Sequence, residues 1–204
     1  MLEAHDLAAQ RGEAGLFAGV GFSLEPGAAL LVSGPNGSGK TTLLRILAGA
    51  TQAAAGRLSW CGAAVGPFHR TLRASVLFIG HAPALKDELT TEENLASLLS
   101  LHGATANRTA LIEALGVWSL SRQRALPARV LSQGQRRRIS LARLQLLSRP
   151  LWLLDEPAAA LDDAGVSTLA RILSLHLAAG GIAVIATHQD LPLAAGVGRS
   201  LRLA

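Results

Sequence analysis

The chain has 204 residues, half of them apolar, a formal net charge of +5 and a single cysteine, Cys61. This length can bury a full core but leaves no room for two independent domains. One cysteine excludes an internal disulfide bond and a thiolate metal cluster, and the histidines are too scattered for a structural zinc site. Arginine carries nearly all of the positive charge, which favours an origin in genome composition. The alternative is a basic face for an anionic membrane surface or nucleic acid.

Neither secretion nor a membrane span is indicated. The N-terminus lacks the basic and apolar regions of a signal peptide. The longest uncharged apolar stretch, Ile172 to Thr187, is interrupted by His176 and by Gly180-Gly181, which is typical of a helix, a turn and a strand. We therefore expect a protein that stays in the cytoplasm.

The first third of the chain predicts strands around a glycine-rich loop. Leu2 to Ala9 and Phe17 to Leu24 have the pattern of short strands joined by a polar turn. Ala28 to Ser33 is a buried strand that runs directly into the loop. After Lys40, leucines at helical spacing predict a helix that ends near Gly49.

The loop itself indicates nucleotide binding. Its glycines hold backbone amides open toward the β and γ phosphates, and the following helix adds the positive end of its dipole. Lys40 supplies a charge between those phosphates, and the Thr41 hydroxyl is expected on Mg²⁺. A glycine turn without a ligand is the alternative, which the strand before the loop and the helix after it disfavour. The predicted phosphate-binding residues are Gly34, Pro35, Asn36, Gly37, Ser38, Gly39, Lys40, Thr41 and Thr42.

The middle of the chain is helical. Val76 to Ile79 predicts one more core strand, and Thr90 with Glu93 forms a capping box ahead of an apolar helical pattern. A second helical pattern surrounds Leu111.

The last third alternates helices and strands. Ser132 is a good N-cap for a helix that reaches about Leu147, and Leu151 to Leu154 has the continuous apolar character of a central parallel strand. A helix with one apolar face surrounds Val166, and Ile182 to Ala186 predicts the next strand.

This alternation predicts an α/β fold with a mainly parallel core sheet and an antiparallel β part at the N-terminus. We predict one domain, in which a helical subdomain at residues 81–130 is inserted into a nucleotide-binding core of residues 1–80 and 131–204. No repeats, linkers or low-complexity tails are visible.

Two carboxylates follow the strand that ends at Leu154. A buried Asp155 would be costly without a cation, and Mg²⁺, bound through water, is its predicted partner. Glu156 is predicted to polarise the attacking water, as a general base or a positioning group. A solvated pair at a strand end is the alternative, which Pro157 and the phosphate loop disfavour.

A second phosphate-binding surface is predicted at the segment Leu131-Ser-Gln-Gly-Gln135, where a helix begins and free amides face outward. Without the other motifs, an ordinary capped helix would explain it. Because it lies too far along the chain to close over the same nucleotide, we predict that the two surfaces meet between subunits. Ser132, Gly134 and Gln135 would then contact the γ phosphate bound by Lys40 of a second copy.

Six motifs in this order resemble those of ABC-type ATPases, the P-loop ATP-binding subunits of ABC transporters, over nearly the whole chain. The resemblance implies ATP and Mg²⁺ as ligands, a homodimer of ATPase subunits that holds two ATP molecules at its interface, and an integral membrane permease subunit as partner. It implies that His188 contacts the γ phosphate and orients the water, and that Asp162 communicates across the pair. Ala159 stands where this family commonly has a small hydroxyl residue, which weakens the expectation for Asp162.

Two positions depart from the family pattern. His81 stands in place of the usual glutamine, an alignment that rests on the Leu-Thr and Glu-Asn-Leu elements that end at Thr90 and Leu95. Imidazole can accept a hydrogen bond or contact metal-bound water only while neutral, so we expect slow turnover that falls in mild acid. Arg11 stands near the position of an adenine-stacking aromatic. Its guanidinium can stack on a base, or it is simply solvated.

Within this family, the chain resembles the ATP-binding subunits of cytochrome c maturation systems, often called haem exporters. The resemblance rests on the His-x-Pro turn at His81, Leu-Phe17, the segment Leu151-Trp-Leu-Leu-Asp-Glu-Pro157 and the ending Thr187-His-Gln189. It implies a peripheral position on the cytoplasmic face of the bacterial inner membrane, and a role in haem export or in ATP-driven release of a haem-loaded periplasmic chaperone. No Cys-x-x-Cys-His motif or haem-ligand set is visible, so we expect no direct haem binding.

Two alternatives stay open: an ABC ATPase subunit for another small cargo, and a soluble ABC ATPase outside transport. Cargo is chosen by the membrane subunit, whose cytoplasmic helix the resemblance places in a groove around residues 81–99. A chromosome-maintenance ATPase would have a long coiled coil between the two phosphate-binding surfaces, and a ribosome-associated one would join two cassettes. Neither pattern is present, and we expect no nucleic acid partner.

Overall fold

The computed structural model describes residues 1–189, 191–193 and 198–203, which belong to two compact units. The core unit comprises Met1–Gly80, Arg149–Glu156 and Leu173–Ala204, and the helical unit comprises His81–Ser148 and Pro157–Ile172. None of the described helices is both long enough and apolar enough to cross a membrane.

Two sheets lie in the core unit. Their strands are β1 (Leu2–Arg11), β2 (Ala14–Leu24), β3 (Ala29–Ser33), β4 (Ala55–Trp60), β5 (Ala63–Val65), β6 (Val76–Ile79), β7 (Leu151–Asp155), β8 (Ile182–Ala186) and β9 (Gly198–Arg202), with helices α1 (Lys40–Leu47) and α2 (Arg70–Ser75). One sheet is antiparallel, in the order β2-β1-β4-β5, and the other is parallel, in the order β6-β7-β8-β3-β9. The predicted α/β class, with a mainly parallel core sheet and an antiparallel N-terminal part, is confirmed.

The register of the parallel sheet brings three strand ends to one level. Asp155 of β7 and Val32 of β3 are both paired with Ala186 of β8. Every residue of β7 and β8 is buried, as the continuous apolar runs predicted for strands covered on both faces. The segments that leave β3, β7 and β8 therefore emerge side by side at the carboxyl edge of the sheet.

The helical unit contains α3 (Thr91–Ser100), α4 (Arg108–Val117), a short 3-10 turn (Ala128–Val130), α5 (Gln133–Leu146) and the beginning of α6 (Asp163–Ala178). The predicted capping box is confirmed: Thr90 Oγ1 accepts a bond from the Glu93 amide at 3.2 Å, and the Thr90 amide donates to Glu93 Oε2 at 2.8 Å. A cap of this kind contributes about 1 kcal/mol to helix stability.

The grouping of residues 131–148 and 157–172 differs from the predicted division of the chain. The sequence analysis placed them in the core, whereas the structure groups them with the helical unit. The physical reason is that α5 packs on α3 and α4 within that unit. The boundary between residues 80 and 81 is the same in both descriptions.

His176 of α6 stacks on Trp152 of β7 in the core unit, with ring centroids 3.7 Å apart and ring planes 4° apart. Burial lowers the pKa of His176, and the contact of its Nε2 with the Ile182 carbonyl oxygen opposes this effect. The folded pKa therefore lies below the ordinary value of about 6.5. Stability from this site is fully present above that ordinary pKa and is lost as the pH falls through it toward the folded pKa, because the unfolded chain takes up the proton first.

We expect the free energy of unfolding, measured with urea, to fall between about pH 7.5 and pH 5.5 because of this site. His176→Gln, whose side chain binds no proton, should be less stable at the higher pH and should show a shallower fall. Equal slopes for the two proteins would show that His176 does not contribute to the pH dependence.

Candidate functional site

The glycine-rich loop joins β3 to α1 and closes around a buried lysine. Gly34 and Gly39 have φ of 145° and 95°, which side chains rarely adopt. A Cβ at Gly34 would lie 2.5 Å from the Leu203 carbonyl oxygen, and one at Gly39 would lie 2.8 Å from Phe17 Cδ1. Because α1 begins at Lys40, the amides of its first turn have no partners within the helix and are available to an anion at the loop.

The polar groups of the loop fit a polyphosphate. Lys40 Nζ is buried and donates to the carbonyl oxygens of Gly34 at 2.7 Å and Pro35 at 3.1 Å. Ser38 Oγ is buried and has no hydrogen-bond partner within the described chain. A buried ammonium and an unsatisfied hydroxyl both favour an incoming anion, because each gains a partner when one binds.

Thr41 and Asp155 meet where α1 begins and β7 ends. Thr41 Oγ1 donates to Asp155 Oδ2 at 2.8 Å, and Asp155 is 2% exposed. Hydroxyl and carboxylate oxygens are ligands that suit Mg²⁺, which keeps several waters and takes its other ligands from phosphates. The two residues predicted to hold Mg²⁺ are therefore adjacent, and their donor set fits that ion.

Glu156 is held in an unusual backbone conformation beside His188. Its φ is +47°, and its amide donates to the Ala186 carbonyl oxygen at 2.8 Å, which extends the β7–β8 ladder by one bond. His188 Nε2 lies 3.5 Å from Glu156 Oε1, and the His188 amide donates to Glu156 Oε2 at 3.4 Å. A left-handed conformation costs about 1–3 kcal/mol for a residue other than glycine, and such strain concentrates at functional sites. The structure thus brings together Glu156 and His188, the two residues predicted to activate and orient the attacking water.

Ser132 begins α5 within the helical unit. Its Oγ accepts a bond from the Gln135 amide at 3.2 Å, and its own amide donates to Gln135 Oε1 at 3.0 Å. The side-chain oxygen of Gln135 is therefore engaged in a capping box, a role that the sequence analysis missed although the Ser-x-x-Gln spacing is its signal. Ser132 is exposed, as a phosphate-binding helix tip requires.

Gly134 approaches backbone and not open solvent. A Cβ on Gly134 would lie 2.5 Å from the Ala160 carbonyl oxygen in the loop before α6. The sequence analysis predicted that Gly134 contacts the γ phosphate bound by a second copy. Within the chain, the structure shows a steric reason for glycine here: the start of α5 packs against the loop before α6.

Gly134→Ala is therefore expected to lower the free energy of unfolding by about 1–3 kcal/mol, because the new methyl group must displace backbone. Gly116→Ala is the matched control, since its Cβ would meet only Ser121 Oγ at 3.5 Å and it lies within a helix. That control should be more stable than the original by up to about 1 kcal/mol. Urea unfolding measures both, and equal stabilities for the two variants would contradict the steric reason.

Asp162 is bound within its own chain. Its Oδ1 accepts bonds from the Gly165 amide at 2.8 Å and from Arg138 Nη2 at 2.5 Å. The hydrogen bond from the Gly165 backbone amide, followed by the hydrogen bond from Arg138, lowers the pKa of the Asp162 carboxyl group. A predicted contact across a pair of subunits would therefore involve an ionised carboxylate that already caps the N-terminus of α6.

The two residues that depart from the family pattern are both exposed. His81 is the first residue of the helical unit, and its carbonyl oxygen accepts a bond from Arg137 Nη1 at 3.2 Å. Arg11 is the last residue of β1 and is paired with Ala14 across the hairpin. The sequence analysis missed Arg137 and Arg138. The signal was the run of three arginines after the second phosphate-binding surface, because three consecutive helical residues cannot all face solvent when one side is packed.

Together these features define an ATPase of the P-loop class. A strand, glycine loop and helix surround Lys40, and Thr41 with Asp155 and Glu156 with His188 occupy the carboxyl edge of the same parallel sheet. Residues 17–159 match the family model described as ABC transporter. The chain therefore belongs to the ABC transporter family.

Two curated proteins similar to this chain over nearly its whole length share one name. A protein of Aromatoleum aromaticum named "Cytochrome c biogenesis ATP-binding export protein CcmA" is 50% identical over 199 residues, covering 95% of this chain and 91% of the relative. One of the same name from Dechloromonas aromatica is 46% identical and covers all of both chains. A solved ATP-binding cassette, described as a dimer in a post-hydrolysis state bound to ADP and Pi, has a TM-score of 0.80 at 24% identity, covering 93% of this chain and 88% of that one. This last likeness confirms the fold.

Proposed function

We propose that this protein is the ATP-hydrolysing motor subunit of a bacterial inner-membrane ABC complex for c-type cytochrome biogenesis. Its task would be haem export or the ATP-driven release of a haem-loaded periplasmic chaperone. The names of the two relatives support the process. The observation that carries the motor role is Glu156, strained and set against His188 at the strand ends that also carry the phosphate loop.

The proposed chemistry divides among the described residues of the core unit. Lys40 and the loop amides bind the β and γ phosphates, and Thr41 and Asp155 hold Mg²⁺, which neutralises phosphate charge when bound. Glu156 takes the proton of the attacking water or fixes its direction, and His188 contacts the γ phosphate. The remaining loop residues, from Gly34 to Gly39 with Thr42, shape the cradle around the phosphates.

The unit of function is proposed to be a homodimer. Ser132, Gly134 and Gln135 of one copy would complete the phosphate site of the other, with Asp162 beside the shared interface. A dimeric assembly is described for the solved cassette bound to ADP and Pi, which supports this proposal. Two ATP molecules would then hold the two subunits together at their interface, and hydrolysis would weaken that association.

A membrane permease subunit of the same system is the proposed partner, and it would hold the protein on the cytoplasmic face of the inner membrane. The export function in the relatives' names supports such a partner. We propose that haem is handled by other subunits, and that the groove around residues 81–99 receives the permease.

His81 carries a proposed pH dependence. If the neutral imidazole is needed, turnover should fall in mild acid, because a protonated ring cannot accept a hydrogen bond. His81→Gln should remove that fall and raise the rate at low pH. An unchanged pH profile in the glutamine variant, measured as ATPase rate against pH, would contradict the role. Stacking of the Arg11 guanidinium on the base of the nucleotide remains a proposal.

The proposed function is tested by co-purification from membranes of cells that express the neighbouring reading frames. We expect a stable complex whose ATPase rate exceeds that of the isolated chain, and loss of mature c-type cytochromes when the gene is removed. Normal cytochrome maturation without this chain would redirect the proposal to an ABC ATPase for another cargo.

A further inference from the structure

One arginine binds both segments that lead from the core unit into the helical unit. The chain enters the helical unit at His81 and again at Pro157. Arg137 Nη1 donates to the His81 carbonyl oxygen at 3.2 Å, and Arg137 Nε donates to the Pro157 carbonyl oxygen at 3.2 Å. Arg137 is 3% exposed and lies in the second turn of α5.

The shape of the arginine side chain suits this arrangement. The guanidinium is a rigid planar fork, so one side chain can donate in two fixed directions to two carbonyl oxygens. Lysine offers one nitrogen, and glutamine offers one nitrogen on a shorter stem.

Two further contacts from the same helix hold the second entry segment. Arg138 binds Asp162, and Gly134 packs against the Ala160 carbonyl oxygen. The first turns of α5 therefore contact residues 157–162 through three residues: Gly134, Arg137 and Arg138. Of these three, Arg137 is the one that also binds His81. These turns follow directly after Ser132 at the helix tip.

We propose that Arg137 is a positioning residue that ties the two entry segments of the helical unit to the helix carrying Ser132. This inference rests on the proposed function. When Ser132 binds the nucleotide of a second copy, both entry segments should respond together with the first turns of α5, because Arg137 binds them to that helix. Arg137 itself contacts no nucleotide.

Hydrogen exchange measured by mass spectrometry tests whether Arg137 links the two entry segments to α5, and it needs no catalytic readout. In Arg137→Gln and Arg137→Lys, we expect exchange about tenfold faster at residues 81–85 and 158–162 together, because a charge-assisted bond to each segment is lost. Arg136→Gln is the matched control: it removes the same charge one residue earlier and breaks the bonds to Asp87 and the Ala128 carbonyl oxygen. Exchange in that variant should rise near residues 86–90 and 127–130 only.

Kinetics of the purified complex supply the second arm. The Arg137 variants should have a kcat lower by about 10- to 100-fold with KM for ATP changed by less than about twofold, because the phosphate loop belongs to the core unit. Unchanged exchange at both segments in both Arg137 variants would overturn the inference, as would an Arg136→Gln variant with the same exchange pattern. A wild-type complex without ATPase activity would instead contradict the proposed function. The hydrogen-exchange measurement would still show whether Arg137 links the two entry segments to α5.

Discussion

Replacing Glu156 with glutamine is expected to lower the rate of ATP hydrolysis by about 100-fold or more while ATP still binds. The amide keeps the size of the side chain but cannot take a proton from water. Glu156 is already held against His188, with Nε2 and Oε1 3.5 Å apart, so little movement is needed to act on a water there. ATP should therefore accumulate on the protein, and the proposed dimer should persist.

The measurement is phosphate release with the purified complex, together with equilibrium binding of ATP. Glu25→Gln is a suitable control, because Glu25 is an exposed carboxylate of the same unit outside the site. Hydrolysis at the normal rate in Glu156→Gln would mean that another group activates the water.

Lys40→Ala is expected to weaken ATP binding by about 10- to 100-fold, which corresponds to the loss of a charged hydrogen-bond donor at the phosphates. The change also removes the two bonds that close the loop on the carbonyl oxygens of Gly34 and Pro35. Both effects act on binding, so KM for ATP should rise together with the dissociation constant.

Lys86→Ala is the matched control, since Lys86 is the only other lysine of the chain and is exposed. Binding of a fluorescent ATP analogue and of unlabelled ATP in competition measures the effect. An affinity equal to that of the control would place the phosphates elsewhere.

The sheet and helix order was predictable where apolar runs are long or strictly periodic. β7 and β8 are buried on all five residues, so their sequences contain no competing pattern. β9 was not predicted, because its residues are mostly exposed and its place beside β3 is decided by pairing with a strand far away in the chain. α2 was missed because it has six residues and a single buried one, Leu72.

In the candidate site, too, the features set by local sequence were predictable and those set by distant contacts were not. The phosphate loop, Asp155, Glu156 and His188 are set by local motifs at strand ends, and parallel strands place those ends together. The contacts of Gly134 and Arg137 depend on loops that lie more than a helix away in sequence. The run of three arginines indicates that one of them is buried, but it does not indicate which loops that arginine contacts.

The second phosphate-binding surface is the least local feature of all, because its proposed ligand belongs to another copy of the chain. Ser132 and Asn36 are both exposed, and Cys61 is the only native cysteine. A chain with Cys61 replaced by serine can therefore report on this contact through a single introduced cysteine.

The most direct measurement is disulfide cross-linking of two such chains, one with Asn36→Cys and one with Ser132→Cys, each also carrying Glu156→Gln. With ATP, the mixture should give a cross-linked dimer that neither chain gives alone, because each phosphate loop faces the helix tip of the other copy. No dimer in the ATP-loaded mixture, or a cross-link within one chain when both cysteines are placed together, would contradict a nucleotide site shared by two subunits.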